Sequence, residues 1–234
     1  MPVVAAAVCP HPPVIVPELA FGAAPELDPL RAACLAAIDV LAEADALVIV
    51  GSGPVTGRRY DASAGGSFAA YGAPQVRVGD GEAALPLSLL VGAWLVGQSK
   101  AAGVRRTSIS VADDSPEVCL ALGREIAEGN DRIGLLVMGD GSARRSDHAP
   151  VHLHPRAEIF DATVAKALRS VDLDVLAALD PDLATVLQAA GRAPWQVLAG
   201  ALGQTALTGN LTYDAAPYGV GYFVASFTSV TLSG

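Results

Sequence analysis

The apolar run from Pro2 to Val8 stops abruptly at Cys9-Pro10-His11-Pro12-Pro13-Val14-Ile15-Val16-Pro17, and no other stretch constrains the chain as tightly. A run this short, built of small and β-branched residues and bounded by proline, reads as a buried strand that delivers a loop at its carboxyl end. His11 sits where that strand stops. Prolines on both sides restrict its backbone to extended conformations and leave the imidazole little freedom of direction. In an α/β sheet, the carboxyl end of a strand is where ligands and metals bind. The same residue also fits a rigid turn with a packed histidine, and this stretch alone leaves both readings open.

Strand and helix signals alternate along the rest of the chain. Asp28-Pro29-Leu30 opens an Ala/Leu/Ile-rich helix ending near Ala44, with Asp28 placed to cap it and Pro29 at its first position. Leu47 to Val50 reads as a second buried strand ending in Gly51-Ser52-Gly53-Pro54, a loop without the GxGxxG spacing of a dinucleotide site. Pro74 to Val78 predicts a strand, Pro86 to Ala101 a helix closed by Gly103, and Thr107 to Val111 a further strand. Asp114 or Ser115 caps a helix running through Ala127, and Ile133 to Met138 is a central strand delivering Gly139-Asp140-Gly141-Ser142. Helical spacing covers Glu158 to Arg169, Leu173 to Leu179, Pro181 to Ala190 and Trp195 to Gly203; Leu211 to Tyr213 and Gly221 to Thr231 read as terminal strands. No linker or repeat interrupts the series. The expected fold class is α/β, a single-domain α/β/α layered fold over residues 1–234, with the C-terminal hairpin making the central sheet mixed.

Composition narrows the function classes. Fifteen basic against 24 acidic residues give a net charge of −9, which repels a phosphate backbone and argues against a general nucleic-acid binder. The apolar windows Leu85 to Val96 and Val197 to Leu207 fall short of the roughly 20 residues a membrane helix needs, and the first residues lack the basic segment of a secretory signal. Cys9, Cys34 and Cys119 form neither a CxxC pair nor a disulfide pattern, so a reducing cytoplasm is expected, with Cys34 and Cys119 as small buried hydrophobes. The apolar composition also allows a homo-oligomer.

The remaining histidines, His148, His152 and His154, lie in one loop segment, and His152 and His154 would share a side of an extended chain. Together with His11, and with Asp140 or Asp61, they would hold zinc or iron only if folding brings them together; otherwise they line a polar loop. Asp140 and Ser142 are the other polar candidates for a catalytic or anchoring role. Arg58, Arg59, Arg144 and Arg145 could meet an anionic ligand, although paired arginines are commonly solvated.

Five segments resemble the class III extradiol ring-cleavage dioxygenase B-subunit (LigB-like) superfamily, Memo-like proteins included: VCPHPPVIVPEL at Val8 to Leu19, MGDGSA at Met138 to Ala143, HPRAEIFDATV at His154 to Val164, AAGRAPWQVLAGAL at Ala189 to Leu202, and YDAAPYGVGYFVA at Tyr213 to Ala225. The resemblance implies a mixed sheet between helices with a pocket at strand ends. In active members two histidines and a carboxylate hold Fe(II), a catechol-type substrate and dioxygen take the open positions, and a further histidine moves protons. His11 matches the first histidine ligand.

Three motifs depart from that pattern. Where the family places a second histidine after the second strand, this chain has Gly53-Pro54-Val55; where it has Gly-Asp-Leu-Ser-His, Ala143 replaces the histidine; where Memo-like relatives present Cys-Gly-Arg, the chain reads Ala190-Gly191-Arg192. The expectation is an atypical or catalytically inactive dioxygenase-like protein, without a predicted cofactor, binding a small molecule or protein through the retained cleft. The alternatives are an Fe(II)-dependent ring-cleaving enzyme with rearranged ligands, and a metal-independent enzyme using His11, Asp140 or Ser142.

Overall fold

A computed structural model describes residues 3–81, 84–128, 131–203 and 207–229. The strands are β1 (Val3–Cys9), β2 (Ala46–Ser52), β3 (Arg58–Tyr60), β4 (Gly66–Phe68), β5 (Ala73–Val78), β6 (Arg105–Val111), β7 (Ile133–Met138), β8 (Leu207–Ala215) and β9 (Tyr222–Ser229). The helices are α1 (Pro17–Ala20), α2 (Asp28–Asp39), α3 (Leu87–Gly97), α4 (Pro116–Ala127), α5 (Ala157–Ser170), α6 (Leu173–Ala177), α7 (Pro181–Leu187) and α8 (Arg192–Leu202). A seven-stranded sheet runs in the order β3-β6-β2-β7-β1-β9-β8, and β4 and β5 form a separate two-stranded sheet.

The four central strands β6, β2, β7 and β1 are parallel, while β3, β9 and β8 pair antiparallel, so the sheet is mixed as expected. Parallel strands covered on both faces need apolar residues on both sides. In β1, Ala6 and Val8 join the core under α4, α5 and α8, and Ala5, Ala7 and Cys9 join the core under α2 and α3. Helices therefore cover both faces, giving the α/β/α layering. No helix among the described residues is long and apolar enough to cross a membrane.

Several boundaries differ from the sequence reading for local reasons. The helix starting at Asp28 ends at Asp39, short of Ala44, and Asp28 lies within the helix while Leu27 occupies the cap position. The predicted strand at 74–78 exists as β5 but pairs with β4 in a separate two-stranded sheet and not with the main one. Helix α8 starts at Arg192, one turn before Trp195. Strand β8 extends the predicted 211–213 on both sides through its ladder with β9. Pro2 and residues 230–231, predicted as strand ends, lie outside the described residues.

The parallel strands share a direction, so the loops after β1, β2, β6 and β7 gather at one end of the sheet. The chain leaves β1 and β2 toward the α2–α3 face but leaves β6 and β7 toward the α4–α8 face. Such a divergence opens a crevice at the carboxyl ends of the strands.

Candidate functional site

His11 and Asp140, delivered by the neighbouring strands β1 and β7, meet in this crevice. The His11 backbone N–H donates to Asp140 Oδ1 at 2.8 Å, and the imidazole Nδ1 lies 3.6 Å from the same oxygen. His11 is 8% exposed, and its Nδ1 has no hydrogen-bond partner among the described residues. The Asp140 carbonyl accepts the Gly191 N–H at 2.8 Å. One residue thereby ties the β1 loop to the turn that starts α8.

This junction tolerates no side chain on its glycines. A Cβ on Gly139 would fall 2.6 Å from Gly191 Cα, and one on Gly191 would fall 2.2 Å from Trp195 Cζ2. Trp195, fully buried, packs edge-on against Phe223 with ring centroids 5.9 Å apart.

Two buried charges brace the loops from behind. Asp161 of α5 is 0% exposed; its carboxylate accepts the Ser142 N–H at 2.8 Å and pairs with Arg145 Nη1 at 2.9 Å. Burial pushes its carboxyl up to about 6, against the pull of the Ser142 N–H and of Arg145. Gly141 and Gly221 leave the space this carboxylate fills. Arg192 of α8, only 1% exposed, pairs with Asp113 and donates to Gln196 Oε1 at 3.0 Å and to the Asp114 carbonyl. Gln196 in turn donates to the Ala177 and Leu179 carbonyls at 3.1 and 2.9 Å, locking α6 to α8.

Between the ends of β2 and β6 and the α7–α8 turn lies a cleft of about 480 Å³. Its polar lining is Ser52, Asp113, Thr185 and Gln188; Gly53, Val111 and five alanines, Ala190 among them, form the apolar wall. Ser52 Oγ donates to the Ala190 carbonyl at 2.9 Å, and Thr185 Oγ1 donates to Asp113 Oδ2 at 3.1 Å.

The other sequence candidates fall into different places. His148 and His152 are exposed, while His154 is half-buried with its Nδ1 accepting the Arg156 N–H at 3.2 Å. Among the described residues, no three His, Cys, Asp or Glu side chains are grouped so as to hold a metal ion. Asp61 is exposed and accepts from the Ser63 N–H and hydroxyl at 2.9 and 2.6 Å. Ser142 is fully buried: its hydroxyl donates to the Leu187 carbonyl at 3.3 Å and accepts from the Arg144 N–H at 3.1 Å. Arg59 pairs with Glu125, Arg58 stacks 5.1 Å from the Tyr60 ring centroid, and Arg145 is held by Asp161.

All three cysteines are free and buried. Burial raises Cys34 well above the usual thiol range, with neighbouring Cys9 and Asp140 adding to it, and pushes Cys119 up to about 11. Burial, reinforced by Asp140, also raises the Tyr222 phenol. None of these groups is poised as a nucleophile.

The donor set does not fit the iron centre that the motif resemblance implies. His11 and Asp140 bring one imidazole and one carboxylate together, but Val55 points its carbonyl at Ser110 Oγ, 2.6 Å away, and has an aliphatic side chain; Ala143 and Ala190 offer only methyl groups. Asp113, Asp161 and Arg192 escaped the sequence reading, since their roles depend on partners distant along the chain. The adjoining glycines of Gly139-Asp140-Gly141 and Gly219 to Gly221 were the available signal, because close approach requires them.

Sequence comparison finds no matching family profile and no matching curated protein. Among solved structures, the uncharacterized Escherichia coli protein JW3007 matches with a TM-score of 0.60 at 18% identity, covering 97% of this chain and 100% of that one. The likeness extends over the whole layered fold.

Proposed function

We propose that the chain is a divergent member of the class III extradiol dioxygenase-like superfamily whose strand-end cleft binds a small molecule without a family-type iron centre. One observation carries this reading: the cleft of about 480 Å³ is lined by Gly53 and Ala190, from two of the altered motifs, yet presents neither imidazole nor thiol. Its size falls within the range of small-molecule pockets, and its mostly apolar wall with a few fixed polar groups is the usual composition of one. The pair between the buried Arg192 and the exposed Asp113, together with the Asp140 bridge, holds the lining in place before any ligand arrives.

An amide-resolved NMR titration of the labelled protein with a fragment set tests the reading. Shifts should cluster at residues 52–53, 111–113 and 184–193 and vanish in Ala190→Leu, which fills the cleft from an exposed position. Shifts confined to another face, or none, would count against it. So would stoichiometric anaerobic Fe(II) binding with catechol-dependent oxygen uptake that His11→Ala abolishes; that outcome would favour the rearranged-ligand enzyme.

A further inference from the structure

We infer that the face around Phe21 docks a basic amphipathic segment of another protein, seating an apolar side chain in the hollow beside that residue and setting Lys or Arg against Glu18 and Glu26. This face shares no residue with the cleft. Val14, Leu19, Ala20, Ala23 and Tyr218 line a hollow of about 230 Å³, between the segment that follows β1 and the β8–β9 turn. That is below the roughly 300–1,000 Å³ of pockets that enclose a free small molecule, and it suits one or two side chains presented by a chain.

Phe21 stands in the chain between two lining residues, Ala20 and Ala23, and at 77% is the most exposed large hydrophobic among the described residues. It closes α1 at φ 46°, ψ −123°, a positive-φ backbone that only glycine adopts freely, and a Cβ on the following Gly22 would meet nothing within 4 Å. The ring is thus held out in open space on a strained backbone, next to an apolar hollow. Together they form a contact surface that the protein's own core does not use.

Charge chooses the occupant. Residues 1–57 and 193–234, the stretches that contain this face, carry seven acidic residues and a single Lys or Arg, Arg31. The Arg31 side chain is 12% exposed, and its guanidinium is taken up by Asp28 and by the Ile15 and Ala24 carbonyls. Glu18 adjoins Leu19 on α1, and Glu26 accepts the Tyr218 hydroxyl at 3.1 Å; both are exposed, with no basic partner among the described residues. A second copy brought face to face by a two-fold axis would set these carboxylates against their own counterparts. Lys or Arg meets them with opposite charge, and Phe21 offers such a cation an aromatic face.

Two peptides of one pattern and opposite charge test this, each of about 18 residues so as to hold a helix: one of Leu, Ala and Lys, the other with Glu in place of every Lys. Titrated into the labelled protein and followed by NMR, the Lys peptide should shift amides within residues 14–26 and at 218 saturably, with the Glu peptide at least about tenfold weaker. Phe21→Gly, which relieves the backbone and so keeps the fold, should weaken the Lys peptide about tenfold. Glu18→Gln combined with Glu26→Gln should weaken it about fivefold. Asp174→Asn combined with Asp182→Asn, the same change of net charge placed on α6 and α7, should leave it unchanged. Equal binding of the two peptides, shifts confined to another face, no shifts with the Lys peptide at about 1 mM, a Phe21→Gly protein that binds unchanged, or a control pair as damaging as the Glu18 and Glu26 pair would each overturn the assignment. Self-association at micromolar concentration that Phe21→Gly abolishes, measured by sedimentation, would give the face to a second copy and overturn it as well.

Discussion

Replacing Arg145 with methionine removes the cation that compensates the fully buried Asp161 carboxylate, and the cost should depend steeply on pH. Burial pushes the folded carboxyl up to about 6, against an ordinary value of 3.8. Between these values the folded state binds more protons than the unfolded chain, so this group's contribution to stability is greatest below 3.8 and declines as pH rises through about 6. The gap corresponds to about 3 kcal/mol. Above pH 6 Asp161 is ionised, and Arg145 and the Ser142 N–H are what hold the charge.

Arg145→Met should therefore destabilise by about 3 kcal/mol at pH 8, the lower end for a broken buried pair because Arg145 keeps some solvent access. At pH 5, where Asp161 is mostly protonated in the wild type, the loss should fall below about 1 kcal/mol. Asp161→Asn retains an acceptor for the Ser142 N–H and frees Arg145 toward solvent, so about 1 kcal/mol is expected at pH 8. Urea denaturation of the three proteins at both pH values measures this. An Arg145→Met loss independent of pH, or an Asp161→Asn loss exceeding it at pH 8, would refute the reasoning.

Gly191→Ala should destabilise by about 2 kcal/mol and disturb the start of α8, because the new methyl meets the buried Trp195 ring; thermal unfolding and tryptophan fluorescence report it. Gln188→Gly should stabilise by about 0.5–1 kcal/mol by relieving a left-handed non-glycine backbone at an exposed site, read as a raised Tm. Asp140→Ala removes the acceptor of the His11 N–H and should cost about 1–2 kcal/mol, while Ser142→Ala, losing a hydrogen bond to Leu187, should cost about 1 kcal/mol; denaturant midpoints distinguish them.

The sheet was legible because β1, β2 and β7 are covered on both faces, and residues buried on both sides must be apolar without interruption; a local run of Val, Ile and Leu carries that information by itself. The helices between them followed from spacing and from the prolines and glycines at their ends. By contrast β3 and β4 carry little apolar signal, being three residues each and dependent on β6 and β5 for their hydrogen bonds. The sequence placed His11 and the Gly139 to Ser142 loop at strand ends, and parallel pairing of β1 with β7 brought the His11 N–H onto Asp140. It singled out His148, His152 and His154 because they are close in sequence, but proximity along a loop does not aim imidazoles at one point. The cleft takes its lining from β2, β6, α7 and α8, and its bracing charges, Asp113 with Arg192 and Asp161 with Arg145, join residues on separate elements. Apolar burial leaves a local periodic trace in the sequence, whereas a pocket and a compensated buried charge exist only once distant segments share a volume, so tertiary structure alone decided them.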